Sequence, residues 1–223
     1  MSFFEVLARE TAAERNLLFT VPQILDGLQG KISRETYVLY LAQAYHHVSH
    51  TVPLLRLAAR EMDDSRARFR DALLEYVEEE TGHEQWILRD IANAGGDAEA
   101  VRASGPAPQT AAMVAYAYDY VSHVNPMGLF GMIFVLEGTS IALATSGASA
   151  VAESLGLGPE CFSYLTSHGS LDQQHMAFFA ELMGQVDDAA DQAAVIEVAR
   201  NVFRLFADMF RAIPHERSIA HVA

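Results

Sequence analysis

Between Val124 and Val151 the chain carries a single charged side chain, Glu137, set between Phe134-Val135-Leu136 and Gly138-Thr139-Ser140-Ile141. A run this apolar is either the buried central helix of a bundle or a membrane span, because about 20 apolar residues suffice to cross a bilayer. A carboxylate in mid-bilayer is costly and no second span accompanies it, so the run reads as a buried helix and no membrane partner is expected. Burial then places a demand on Glu137. An isolated ionised carboxylate in apolar surroundings is strongly disfavoured, so this one must be neutral, hydrogen-bonded or bound to a cation.

Proline and glycine divide the rest into segments longer than strands and helical in period. Residues 1–30 hold one or two short helices, with Ser2 as N-cap. A first long helix runs over 33–60 with Ser33 as N-cap, and a second over 63–94, closed by Gly95-Gly96. After a loop containing Gly105-Pro106 and Pro108, further helices are predicted over 110–123, 127–155, 160–186 and 187–213. No stretch alternates with period 2 for long, so the expectation is one all-α domain over residues 1–223, a bundle of about seven helices.

In the second long helix, Phe69, Leu73, Tyr76, Glu80, His83 and Ile87 recur at steps of four and three, so Glu80 and His83 share the apolar face. A Glu and a His three residues apart converge on one ion, as a carboxylate metal site in a bundle requires. Glu79 is the reserve candidate, and the rival reading makes 78–80 a solvated charge run. Further on, His168, Asp172 and His175 stand at steps of four and three, a face that continues into Phe178 or Phe179 and Leu182. Imidazole is the commonest transition-metal ligand and Asp adds neutralising charge. Glu80, His83, Glu137, His168, Asp172 and His175 thus offer mixed oxygen and nitrogen ligation suited to a pair of iron ions, with manganese as an alternative. Glu137 and His83 are the residues expected nearest the chemistry. The first long helix adds Tyr45, His46, His47 and His50, candidates for a further ligand, an acid/base group or a hydrogen-bonded structural cluster.

Fifteen Lys and Arg against 29 Asp and Glu give a net charge of −14, a surface that repels phosphate backbones, so nucleic acid is not an expected partner. The first residues lack a basic segment followed by an apolar one, and the lone Cys161 offers no disulfide framework, so a cytoplasmic location is expected. The apolar, Ala-rich segment 189–213 suits a homodimer through helix faces, and equally suits closing the chain's own core.

Taken together, Glu-Glu-Glu-Thr-Gly-His-Glu-Gln-Trp at 78–86, Glu137 in a small-residue helix, and His168, Asp172 and His175 give a pattern over about 37–183. It resembles the haem-oxygenase-like diiron oxidases and oxygenases, often called iron-containing redox enzymes, which share a fold with the TenA and PqqC proteins. The resemblance implies a TenA/PqqC-like bundle with three ligand-bearing core helices and two iron ions per chain bridged by Glu137. It also implies O2 activation, an external reductant, and N-oxygenation, desaturation or oxidative C–C cleavage of a small molecule. Two departures stand out: some members space the first Glu and His more widely, which brings Tyr76 near the Glu position, and an earlier-helix ligand is represented here only by the histidines of 46–50. Rival expectations are a TenA-like thiamine-related hydrolase using Cys161 as nucleophile, since a helix N-terminus lowers a thiol pKa, and a haem- or metal-binding carrier with one of those histidines as axial ligand.

Overall fold

In the computed structural model, residues 1–215 are described, with the backbone alone over 168–174. Three short helices open the chain, α1 (Phe3–Glu10), α2 (Ala12–Leu18) and α3 (Pro22–Leu28). Ser2 begins α1 with a capping box, its hydroxyl accepting from the Glu5 amide while the Glu5 carboxylate accepts from its own. Then come α4 (Arg34–Val48), α5 (Thr51–Glu61), α6 (Ala67–Glu80), α7 (His83–Asn93), α8 (Ala98–Ala103) and α9 (Pro108–His123). The last three are long: α10 (Leu129–Leu155), α11 (Ser163–Met183) and α12 (Ala189–Ala212).

Both long helices predicted in the first half are broken in two. Over 33–60 the cap at Ser33 is as expected, its hydroxyl accepting from the Thr36 amide. The chain leaves the helix at Ser49 and His50 and starts again at Thr51. The cause is Pro53, which lacks an amide proton and is tolerated only in a first turn, where that proton would have no intrahelical partner. Over 63–94 the break falls at Thr81-Gly82, with Gly82 at φ 95°. Three consecutive glutamates at the C-terminal, negative end of α6 oppose its continuation, and the Thr81 hydroxyl back-bonds to the Val77 carbonyl. Residues 98–103, read as loop, form α8 behind an Asp97 cap.

The predicted central helix is α10, long and apolar enough to cross a membrane by length and composition, yet packed here against α11, α12 and α3. Its close approach to α12 depends on Gly131, where a Cβ would collide with the Val195 carbonyl and the Ala199 amide. The main core lies between α10, α11, α12, α9, α6 and α5, and includes Phe130, Val135, Phe179 and Val202. The apolar face of α12 therefore closes the chain's own core, the second of the two uses expected for it. A second cluster joins α4 and α7 to the far half of α10 through Tyr37, Ile87 and Phe162.

One polar tie sets the start of α11. Asp90, fully buried in α7, accepts from the Ser163 amide at 3.1 Å and the Tyr164 amide at 2.8 Å. A carboxylate from one helix thus caps another, fixing α7, which begins at His83, against α11, which ends beyond His175. Burial raises the Asp90 pKa, and these hydrogen bonds pull it back in part.

Candidate metal centre and adjoining cavity

Glu137 stands midway along α10 and is buried as its surroundings predict, with its side chain 11% exposed. Facing it from α11 is His175, whose Nδ1 lies 3.7 Å from Glu137 Oε1. The other ring nitrogen of His175, Nε2, lies 3.1 Å from Glu79 Oε2 at the end of α6. Beside this pair stands a second: His83 Nδ1 is 2.9 Å from Glu80 Oε2. The break at Gly82 preserves this contact rather than destroying it, because the turn carries His83 back over the last residue of α6. Two Glu–His pairs, from α6 with α7 and from α6 with α11, thus stand at the same helix end, with Glu137 on the second.

Burial separates the two glutamates that the sequence left as alternatives. Glu80 is 10% exposed and Glu79 is 54% exposed, so the apolar-face reading of Glu80 and His83 holds, and Glu79 joins from the rim. Aromatic rings frame both imidazoles. Trp86 stacks on His83 with centroids 4.1 Å apart, and Tyr76 meets His175 edge-on at 5.5 Å. Tyr76 therefore forms a wall of the site, one helical turn before Glu79 and Glu80. Trp86 closes the 78–86 motif on which the family resemblance rests, at i+3 from His83.

The predicted donors His168 and Asp172 lie outside the described side chains; the backbone of α11 runs unbroken through both to His175. Among the described residues no group of three donors closes on one ion. In kind, the set fits a metal: carboxylates and imidazoles in pairs, largely buried, and drawn from four helices, the mixture that divalent iron or manganese accepts.

The histidines of 46–50 part company. His46 Nε2 is 3.2 Å from the Ser104 hydroxyl and His50 Nδ1 is 3.2 Å from the Tyr118 hydroxyl. Burial lowers both pKa values, for His46 with help from His50, which favours the neutral, hydrogen-bonding form of each. Tyr45 rests edge-on against His46. His47 differs: it meets Phe206 edge-on and lines a cavity.

That cavity has an accessible volume of about 140 Å³ and is bounded by α3, α4, α10, α11 and α12. Its wall on α10 includes Leu136, Ser140, Leu143 and Ala144. At 100° per residue Glu137 lies at the edge of that face, one turn from Ser140 and two from Ala144. The candidate metal centre and the cavity therefore share α10 as a common wall. The cavity had no signature in the sequence, since helices distant in the chain build it.

Cys161 does not suit a nucleophile. It is buried in the second core cluster at 1% exposure. Burial raises its pKa, with Glu160 and Asp90 adding to the rise. The short turn of helix before α11 does not offset this.

Residues 38–207 match the family described as iron-containing redox enzymes. Among solved structures, a domain of unknown function with a haem-oxygenase-like fold from Shewanella denitrificans is 25% identical, covering 97% of this chain and 94% of that one, with a TM-score of 0.87. A TenA homologue from Pseudomonas syringae is 13% identical over 94% of this chain and 91% of its own, TM-score 0.78. Haem oxygenase-1 from Synechocystis, in complex with haem, is 13% identical over 100% of this chain and 96% of its own, TM-score 0.77. These likenesses show the haem-oxygenase-like fold. No protein of curated function matches this chain.

Proposed function

The chain belongs to the iron-containing redox enzymes, and from that membership we propose that it is an O2-dependent, non-haem diiron oxidoreductase acting on a small organic molecule. The observation that carries this reading is the meeting of His83 with Glu80 and of His175 with Glu79 and Glu137, from four helices, in a largely buried setting. Iron bound there would supply the electron transfer to O2 that no side chain of the set can perform. Glu80, His83, Glu137 and His175 would hold it, with Glu79 at the rim and His168 and Asp172 completing the set. Manganese suits the same donors.

The chain's own residues do the rest. Trp86 and Tyr76 hold the two imidazoles in orientation, and the apolar wall of α10 excludes water from the side on which the substrate enters. An external reductant and a cytoplasmic setting complete the proposal; N-oxygenation, desaturation and C–C cleavage are all compatible with it.

A haem-binding reading rests on the Synechocystis likeness and on His47 in the cavity wall. Among the described residues the cavity lining contains no Lys or Arg to meet haem propionates, which favours the non-haem alternative. The test is anaerobic loading with Fe(II), then O2 under stopped flow with an absorption spectrum. The proposal expects O2 uptake dependent on Fe(II) and weak near-ultraviolet absorption. An intense Soret band on haem addition, with no O2 uptake by the Fe(II) form, would overturn it.

A further inference from the structure

His175 has a carboxylate at each ring nitrogen. Glu79 Oε2 lies 3.1 Å from Nε2, and Glu137 Oε1 lies 3.7 Å from Nδ1. The two carboxylates stand on different helices, α6 and α10, and together they fix which way round the ring sits, because turning it over would set carbon atoms against both. A neutral imidazole carries one N–H and one lone pair, so it can donate to only one of them. The other carboxylate then faces a lone pair, which is repulsive until a cation stands between the two.

Distance and exposure decide which side takes the cation. The 3.1 Å contact to Glu79 has the length of a hydrogen bond, whereas 3.7 Å to Glu137 is too long for one. Two coordinate bonds of about 2.1 Å each can span the longer gap. Glu79 is 54% exposed, against 12% for His175 and 11% for Glu137. An ion on Nε2 would therefore stand at the solvent rim, while one on Nδ1 stands where the burial of Glu137 most favours a positive charge.

We propose that the metal binds His175 through Nδ1, together with Glu137, and that Glu79 is not a ligand but a positioning residue that accepts the Nε2–H. A carboxylate in that place holds the ring's tautomer and orientation and raises its basicity as a ligand. The proposal rests on the reading of this site as a metal centre, though not on the metal being iron. It also gives the adjacent glutamates separate duties. Consecutive positions on a helix diverge by about 100°, so Glu80 serves His83 on α7 while Glu79 serves His175 on α11.

The test starts from the metal-free full chain, dialysed to equilibrium against Fe(II) without O2. Glu79→Gln keeps an acceptor for the Nε2–H and loses only the charge; Glu79→Leu loses both. Each variant should saturate with as many ions as the parent. The more weakly held ion should bind about tenfold less tightly in Glu79→Gln and up to about a hundredfold less tightly in Glu79→Leu, so that glutamine rescues part of the leucine defect. Melting of the metal-free variants should stay parental, since Glu79 is half exposed. Saturation of Glu79→Gln with one ion fewer would make Glu79 a ligand and overturn the proposal, as would parental affinity in both variants. The direct readout is heteronuclear NMR of the imidazole nitrogens in the Zn(II)-loaded chain, with the His175 signals assigned by their loss in His175→Ala. Metal on Nδ1 and a proton on Nε2 are expected; metal on Nε2 would overturn the proposal. Zn(II) on Nδ1 in a chain that takes up no Fe(II) would sink the diiron reading and leave this one standing, and uptake of neither metal would overturn both.

Discussion

Glu137 is held among apolar residues on α10 with a His175 nitrogen 3.7 Å from its carboxylate. A glutamine there keeps volume and most hydrogen bonding but removes the charge. Glu137→Gln should fold with near-parental helicity and a melting temperature of the metal-free protein within a few degrees, about 1 kcal/mol or less. Its iron uptake should fall by at least one ion, read by metal analysis; undiminished uptake would assign Glu137 a structural role. His175 contacts two carboxylates on different helices, so His175→Ala should lower iron content as well, whereas His46→Ala should leave it unchanged because His46 is engaged with Ser104.

At the scale of elements, the site depends on a helix that stops. Gly82 adopts φ 95° in open space, so an added methyl group would meet no neighbour but would strain the backbone. Gly82→Ala should therefore cost about 1–2 kcal/mol by denaturant unfolding and weaken iron binding by displacing His83 from Glu80. A parental unfolding midpoint would contradict this account of the turn. The helices of the second half were legible in the sequence almost to their ends, because α10, α11 and α12 have long periodic faces and flanking Gly and Pro. Those of the first half were not: the apolar period runs straight through Gly82 and through the 49–50 break, and periodicity alone does not register a local reversal. Glu137, Glu80 and His83 were legible because a charge on an apolar face stands out. The pairing of Glu79 with His175 was not, since it depends on a partner on another helix.

Across the whole molecule, helices distant in sequence are tied by a few buried polar contacts. Asp191, at the start of α12, accepts from Arg66 Nε and Nη2, each at 2.9 Å, and from Asn125 Nδ2 at 2.8 Å, linking the approaches to α6 and α10. Burial works to raise the Asp191 pKa, but the hydrogen bonds from Arg66 and Asn125 outweigh it and hold the pKa below the ordinary value. A carboxylate with a depressed pKa in the folded state stabilises above its unfolded value of about 4 and loses that contribution as pH falls through the folded value. Asp191→Asn should accordingly cost about 2 kcal/mol near neutrality, with the gap to the parent closing in acid below pH ~4; a gap independent of pH would show that charge is not its basis. The same framework brings α6, α7, α10 and α11 together at the carboxylate–histidine site, and the claim that this site holds a pair of iron ions is the centre of the account. Its most direct test is anaerobic titration of the metal-free chain with Fe(II), followed by desalting and metal analysis. The account predicts saturation at about two ions per chain, as di-iron carboxylate bundles require, and retention of less than one ion would contradict it.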